Sequence, residues 1–192
     1  VLGYDAHLPH RPRRIAVAGV SGSGKTTLAA RIATLTGGPH TDIDGLFHGP
    51  GWTPRESFLD DVRALVAADA WTTEWQYRTA RPLIAQHADL LVWLDLPFWT
   101  TTFPRVLRRT LGRRRHHTVL WNGNVEPPLR TLFTDSEHIL RWAVSTRRKY
   151  ADQVPAIARE LPSLTVVRLR SATQVEQWIT GPLRNAVHRH RE

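Results

Sequence analysis

The stretch of the chain richest in potential chemistry is Gly19-Val20-Ser21-Gly22-Ser23-Gly24-Lys25-Thr26, which satisfies G-x-x-x-x-G-K-[ST] at every fixed position. Glycines at this spacing let the backbone curl so that successive N–H groups converge on one anion. A helix beginning near Lys25 adds its positive dipole end at the same point. Lys25 can reach the β- and γ-phosphates as a point charge, and the Thr26 hydroxyl can serve Mg²⁺. The expected donor-binding set is Gly19, Ser21, Gly22, Ser23, Gly24, Lys25, Thr26 and Thr27, with ATP and Mg²⁺ as the implied cofactors.

Carboxylates and arginines supply the other half of a phosphoryl-transfer site. Asp42 and Asp44 lie two apart, so in an extended chain both side chains share one face. At the end of a strand beside the loop, one can hold Mg²⁺ through water while the other receives an acceptor proton. Asp95 closes the apolar run Leu90-Leu91-Val92-Trp93-Leu94 and is a candidate water-mediated metal contact. Arg105, Arg108 or Arg109, and Arg113 recur every three to four residues and form one charged stripe. Arginines closing over a transferring phosphoryl group accelerate it by about 10³–10⁵; Arg109 and Arg113 are the preferred pair, then Arg105. Trp52, Trp75, Trp99 and Trp121 fall near loops or strand ends and suit an aromatic-walled pocket, whereas Trp93 and Trp178 are assigned to the core. His116-His117, His188 and His190 lack the clustered carboxylates or cysteines of a metal site.

The elements that must position these residues alternate strand and helix. Strands are expected at Ile15–Ala18, Pro39–Ile43, Trp71–Tyr77, Leu90–Asp95 and Leu164–Leu169. Helices are expected from near Lys25, with Leu28 to Ala33 at helical spacing and Gly37-Gly38 as the stop, and from a Thr53 cap with Pro54 and Glu56 completing a capping box. Further helices are expected over about 82–87, 101–114, 134–150 and 172–179. Such alternation with short links implies α/β architecture, a parallel sheet covered on both faces. The reading is a flexible lead-in over 1–13, one domain over 14–182 and a basic tail over 183–192.

The chain contains no Asn-Lys pair, so the guanine reader of a GTPase is missing, and motor ATPases usually need more than 192 residues. A compact kinase fits best. The strand–loop–helix, Asp42-Ile43-Asp44 with Leu46-Phe47 before Gly51-Trp52, and Leu94-Asp95-Leu96-Pro97 before an arginine-studded helix resemble the adenylate kinase-like P-loop kinases. Among these the sequence is most similar to the branch often labelled "DNA topology modulation protein", over about residues 14–179. The resemblance implies a three-layer P-loop fold with strand order 2-3-1-4-5. It also implies an acceptor-binding segment over about 45–70 that includes Trp52, and a mobile helical lid over about 104–130. It favours Asp44 on the acceptor side and Asp42 at the metal, and makes an acid at Asp95 more often structural. Glu74 and Arg78 fall where relatives carry an acidic and an anion-binding residue, with Trp75 in place of glycine. Arg170 falls where relatives bring a loop to the adenine.

Composition bounds the alternatives. At 41% hydrophobic and 22% charged, the chain has the content of a globular core. Cysteine is absent, which removes disulfides and thiol chemistry. No apolar run approaches the ~20 residues that cross a bilayer, and no signal-peptide pattern follows the basic start, so a cytoplasmic location and no membrane partner are expected. Between residues 100 and 150 lie eleven basic residues against three acids, a field that attracts anions. The small-molecule kinase is therefore weighed against a regulatory nucleotide-binding protein that docks its arginines on nucleic acid. No helix-turn-helix, zinc-finger or RNA-binding signature supports the latter.

Overall fold

A computed structural model describes residues 1–115, 121–124 and 144–189, and of residues 113–115 the backbone alone. Five strands form one sheet: β1 (Arg14–Gly19), β2 (His40–Thr41), β3 (Trp71–Glu74), β4 (Leu90–Leu94) and β5 (Thr165–Leu169). Their order is β2-β3-β1-β4-β5, every pairing parallel. This is the α/β sheet order expected from the resemblance. Register places Val17 opposite Glu74 and Gly19 opposite Leu94, so the carboxyl ends of three strands meet where the Gly-rich loop begins.

The pleat sorts the core into two layers. Ile15 and Val17 face one side, with Leu28, Ile32, Val92, Leu169, Trp178 and Leu183. These come from α1 (Lys25–Thr36), α7 (Ala172–Trp178) and the segment before α8 (Arg184–His188). Ala16 and Ala18 face the other side, with Phe58, Val62, Ile84, Leu91, Trp93 and Val154. That layer is closed by α3 (Phe58–Ala67), α4 (Arg81–His87) and α6 (Lys149–Glu160). A short α2 (Ile43–Phe47) and the basic α5 (Phe103–Arg115) stand at the loop end of the sheet. Strands β1 and β4 are buried almost throughout because helices cover both faces.

Several sequence expectations are corrected. Strand β2 stops at Thr41; Asp42 takes extended backbone, its side chain accepts from the Asp44 N–H, and α2 begins at Ile43. Asp42 and Asp44 are thus a helix cap and a first-turn residue, not strand neighbours on one face. Helix α3 begins after Ser57 rather than Thr53. Residues 53–55 instead fold back on 47–49, through Gly49 N to Thr53 O at 2.7 Å and Arg55 N to Phe47 O at 2.9 Å. Strand β3 ends at Glu74, since Trp75 and Gln76 turn away toward a left-handed Tyr77. The lead-in is packed rather than loose: Leu2 pairs with Val167 and Leu8 is buried in the core. The tail carries α8, whose Ala186 and Val187 are buried. Helix α6 has no counterpart in the sequence reading, and most of the helix expected over 134–150 lies outside the described residues.

Candidate active site

The loop between β1 and α1 is a curled cradle. Gly22 (φ 78°) and Gly24 (φ 91°) both adopt left-handed backbone. At Gly22 a Cβ would run into the Thr102 carbonyl and the Val106 methyl, so glycine is required both by conformation and by the close approach of α5. Helix α1 starts at Lys25 with no side-chain cap, leaving its first N–H groups open toward the cradle. The Ser23 hydroxyl is buried with no hydrogen-bond partner among the described residues. Lys25 Nζ donates to the Val20 carbonyl at 3.3 Å. Burial holds its pKa below the ordinary lysine value; Arg109 adds to that, while Asp44, Glu74 and Asp42 oppose it. Thr26 and Thr27 are exposed at the rim.

Helix α5 and the cradle touch. Arg109, exposed on α5, reaches from its guanidinium to the Ser21 hydroxyl at 3.4 Å. Arg105 and Arg108 are also exposed. The Arg113 side chain, and His116 and His117, lie outside the described residues.

The side expected from the sequence to face an acceptor is built on α2 and the turn after β3. Asp44 Oδ1 accepts from Gln76 Nε2 and from the Tyr77 hydroxyl, each at 2.6 Å. The Tyr77 oxygen in turn meets His48 Nε2 at 3.1 Å. Asp44 Oδ2 makes no hydrogen bond with any described residue. Tyr77 has φ 58°, which a bulky residue rarely adopts. Its ring is held by a 3.9 Å stack on Phe47 and an edge contact with Phe58. Burial and the Asp44 carboxylate push the Tyr77 phenol far above its ordinary range, so it stays a donor. Burial lowers His48, with Asp44 opposing.

Asp42 is differently employed. Its Oδ1 caps α2 through the Asp44 N–H at 3.0 Å, and its Oδ2 accepts from Trp121 Nε1 at 2.9 Å. Burial, then Glu74 and Asp44, raise its pKa. Both oxygens are thus committed inside the protein. Glu74 is 1% exposed and accepts from His40 Nε2 at 3.1 Å and from the Ile43 N–H at 3.0 Å. Burial alone would raise Glu74, but the His40 and Ile43 hydrogen bonds outweigh it and leave it below its ordinary value. It ties β2 and the start of α2 to β3.

Trp52 and Trp121 flank His48, at centroid distances of 5.0 and 6.1 Å. The segment 121–124 is clamped there: Asn124 accepts from the Trp52 N–H at 3.0 Å and donates to the Gly49 carbonyl at 2.9 Å. Trp75 and Trp99 do not join this wall. Trp75 is buried in the core, its indole N–H on the Arg81 carbonyl at 2.8 Å, and Trp99 is 60% exposed among Phe98 and Phe103. Trp93 and Trp178 are in the core, as expected from the sequence. Arg78 and Arg170 are exposed. Asp95 pairs with Arg168, whose guanidinium lies 4.4 Å over the Trp93 ring, so this carboxylate joins β4 to β5.

Two features escaped the sequence reading. One is the Tyr77–His48 pair, whose members lie 29 residues apart. The other is Lys149, counted only within the charge excess. Its pKa falls to about 8 through burial and the cations of Arg81 and Lys25. The scarcity of lysine, only Lys25 and Lys149 in the chain, was the available signal.

Comparison with solved structures places the architecture. A gluconokinase from Sinorhizobium meliloti 1021 is similar at 20% identity over 92% of this chain and 95% of that one, with TM-score 0.51. A sugar kinase from Janibacter sp. HTCC2649 is 21% identical over 88% and 90%, TM-score 0.42. A shikimate kinase from Acinetobacter baumannii, solved with shikimate, is 16% identical over 92% and 89%, TM-score 0.46. The first likeness establishes a shared fold, with the five-stranded parallel sheet of P-loop kinases. No family model matches the chain, and no curated protein matches it by sequence.

Proposed function

We propose that this chain is a P-loop phosphotransferase that moves the γ-phosphoryl group of ATP to a hydroxyl of a small-molecule acceptor. The observation that carries the reading is one convergence at the carboxyl ends of β1 and β3. An amide-lined cradle with Lys25, an arginine from α5 resting on Ser21, and a carboxylate with one unengaged oxygen lie side by side. The fold shared with the gluconokinase is consistent with it.

The residues suit both donor and metal. The unpartnered Ser23 hydroxyl and the uncapped N–H groups of α1 are polar groups awaiting an anion. Gly19, Ser21, Gly22, Ser23, Gly24, Lys25 and Thr27 line the phosphate site in this reading, and exposed Arg170 flanks the base. Thr26 offers the hydroxyl for Mg²⁺, which would neutralise phosphate charge when bound. Asp42, with both oxygens engaged, shapes α2 and the Trp121 contact rather than leading in metal binding. Trp52, Trp121 and Arg78 border the acceptor, and Glu74 holds its floor in place.

In the reaction the acceptor oxygen forms a bond to the γ-phosphorus while the bond to the bridging oxygen of ADP breaks. The acceptor proton passes to Asp44 Oδ2. Lys25 and Arg109, with Arg113 by its position on α5, stabilise charge on the transferring group.

The deciding experiment is an acceptor panel read as ADP release, covering gluconate, shikimate, nucleosides, nucleotides and other hydroxylated metabolites. Acceptor-dependent ADP release is expected for one class. Lys25→Ala should lower kcat/KM by about 3–4 kcal/mol, the scale of losing a strong transition-state donor. Unchanged turnover in that variant would refute the assignment.

A further inference from the structure

We propose that Tyr77 is a positioning residue for the acceptor carboxylate: with His48 behind it and Gln76 beside it, it pins Asp44 by Oδ1 and leaves Oδ2 alone to meet the acceptor. The claim rests on the phosphotransferase reading and adds to it the device that sets the direction of proton transfer.

Three facts carry it. First, the two donors to Asp44 converge on one oxygen. A carboxylate held by a single oxygen swings about it, but two donors from successive residues fix its plane as well as its place. Second, the donor order is determined. An ionised carboxylate only accepts, so the Tyr77 hydroxyl gives its proton to Asp44, and the 3.1 Å contact must then be His48 Nε2–H donating to the Tyr77 oxygen. The chain of bonds therefore runs from His48 through Tyr77 to Asp44, and it assigns the Nε2–H tautomer to His48. Third, Tyr77 holds its place against backbone cost. A left-handed φ on a bulky residue is strained and persists where the surroundings over-determine it. Here the stack on Phe47 and the edge of Phe58 do so. His48 is likewise fixed, between Phe47, Trp52 and Trp121.

Tyr77→Phe is the discriminating variant, because it removes one oxygen and keeps the ring stack. Water serves as the acceptor probe: MgATP hydrolysis is followed as phosphate release, with Lys25→Ala as the blank. Tyr77→Phe should lower kcat about tenfold to a hundredfold, the scale of an ångström of misplacement, with KM for MgATP within twofold of wild type. Asp44→Asn should fall at least as far. A second readout needs no turnover: ¹⁵N spectra of the histidine rings at pH 8, where His48 is neutral. Wild type should carry the His48 proton on Nε2, and Tyr77→Phe, which removes the oxygen that accepts from that N–H, should lose the preference. Wild-type kcat in Tyr77→Phe beside a slowed Asp44→Asn would overturn the positioning role. So would the Nδ1–H tautomer of His48 in wild type. If Asp44→Asn itself hydrolyses at the wild-type rate, the phosphotransferase reading of Asp44 fails instead; if wild type is no faster than the Lys25→Ala blank, the tautomer readout decides.

Discussion

Lys149 and Lys25, the only lysines of the chain, act on each other electrostatically, and each is held below its ordinary pKa. For Lys149 the causes are burial, then the positive charges of Arg81 and Lys25, and its value falls to about 8 from 10.5. Between those two values the unfolded chain carries the proton and the folded one does not. Stability contributed by this group therefore rises as pH climbs from about 8 toward 10.5. A polyphosphate arriving beside Lys25 reverses the balance by favouring the charged form, so nucleotide binding near pH 8.5 should take up protons. Calorimetry in two buffers of different ionisation enthalpy measures this uptake, and Lys149→Met should reduce it. Equal uptake in that variant would place the titrating group elsewhere. At this scale the sequence was legible where chemistry is written in consecutive residues. Gly19 to Thr26 meets every fixed position of its motif, and Asp44 stands out beside Asp42. The partners of Asp44 were not legible, because Gln76 and Tyr77 lie 32 and 33 residues away. Nothing in the local pattern of either segment signals that meeting.

The junction of β2 and α2 turns on a buried pair. His40 is raised, chiefly by its hydrogen bond to Glu74 and against burial, while Glu74 is lowered. The His40 contribution is complete below the unfolded histidine value and is lost as pH rises through the elevated folded value. The Glu74 contribution is complete above the unfolded carboxylate value and is lost as pH falls through the depressed folded value. The thermal midpoint should therefore peak between these limits and decline on both sides, and His40→Gln should flatten the alkaline side. Glu74→Gln should lower the midpoint yet keep the Kd for MgATP within about twofold, since Glu74 acts through the junction. A lost nucleotide affinity without lost stability would put Glu74 in the binding site itself. Asn124 offers a parallel case: removing its amide in Asn124→Ala strands the half-buried Trp52 N–H and the buried Gly49 carbonyl, the latter at about 1–3 kcal/mol for an unsatisfied buried group. Faster hydrogen exchange at residues 49–53 is the expected sign. The strands and α1 were readable from apolar runs and glycine stops. Capping signals misled at Thr53, because backbone pairing of 53–55 back onto 47–49 outcompeted a capping box there. Helix α6 went unread, since Pro155 lies inside it and lacks the N–H of a regular turn.

At the scale of the whole molecule, the chain carries a net charge of +9, and α5 exposes Arg105, Arg108 and Arg109, the last of which reaches Ser21 in the cradle. Such a field draws in any polyanion, so charge alone does not separate a nucleotide enzyme from a protein that docks on nucleic acid; salt dependence does. For a triphosphate entering the cradle, the distant arginines act before contact. The association rate for a fluorescent ATP analogue should fall as the screening length shrinks from about 30 Å at 0.01 M salt to about 8 Å at 0.15 M. Dissociation, governed by the cradle amides and Lys25, should change little. Exchanging Arg105 and Arg108 for glutamine should flatten the rate's salt dependence and leave dissociation as it was. Docking on duplex DNA would instead weaken the equilibrium affinity, with a slope near −0.9 on logarithmic axes for each phosphate neutralised. The phosphotransferase reading expects duplex DNA binding to be weak and gone at about 0.15 M salt. Tight duplex binding that carries such a slope, ignores nucleotide and disappears with Arg105 and Arg108 would make the arginine helix a nucleic-acid surface and leave the cradle as its switch.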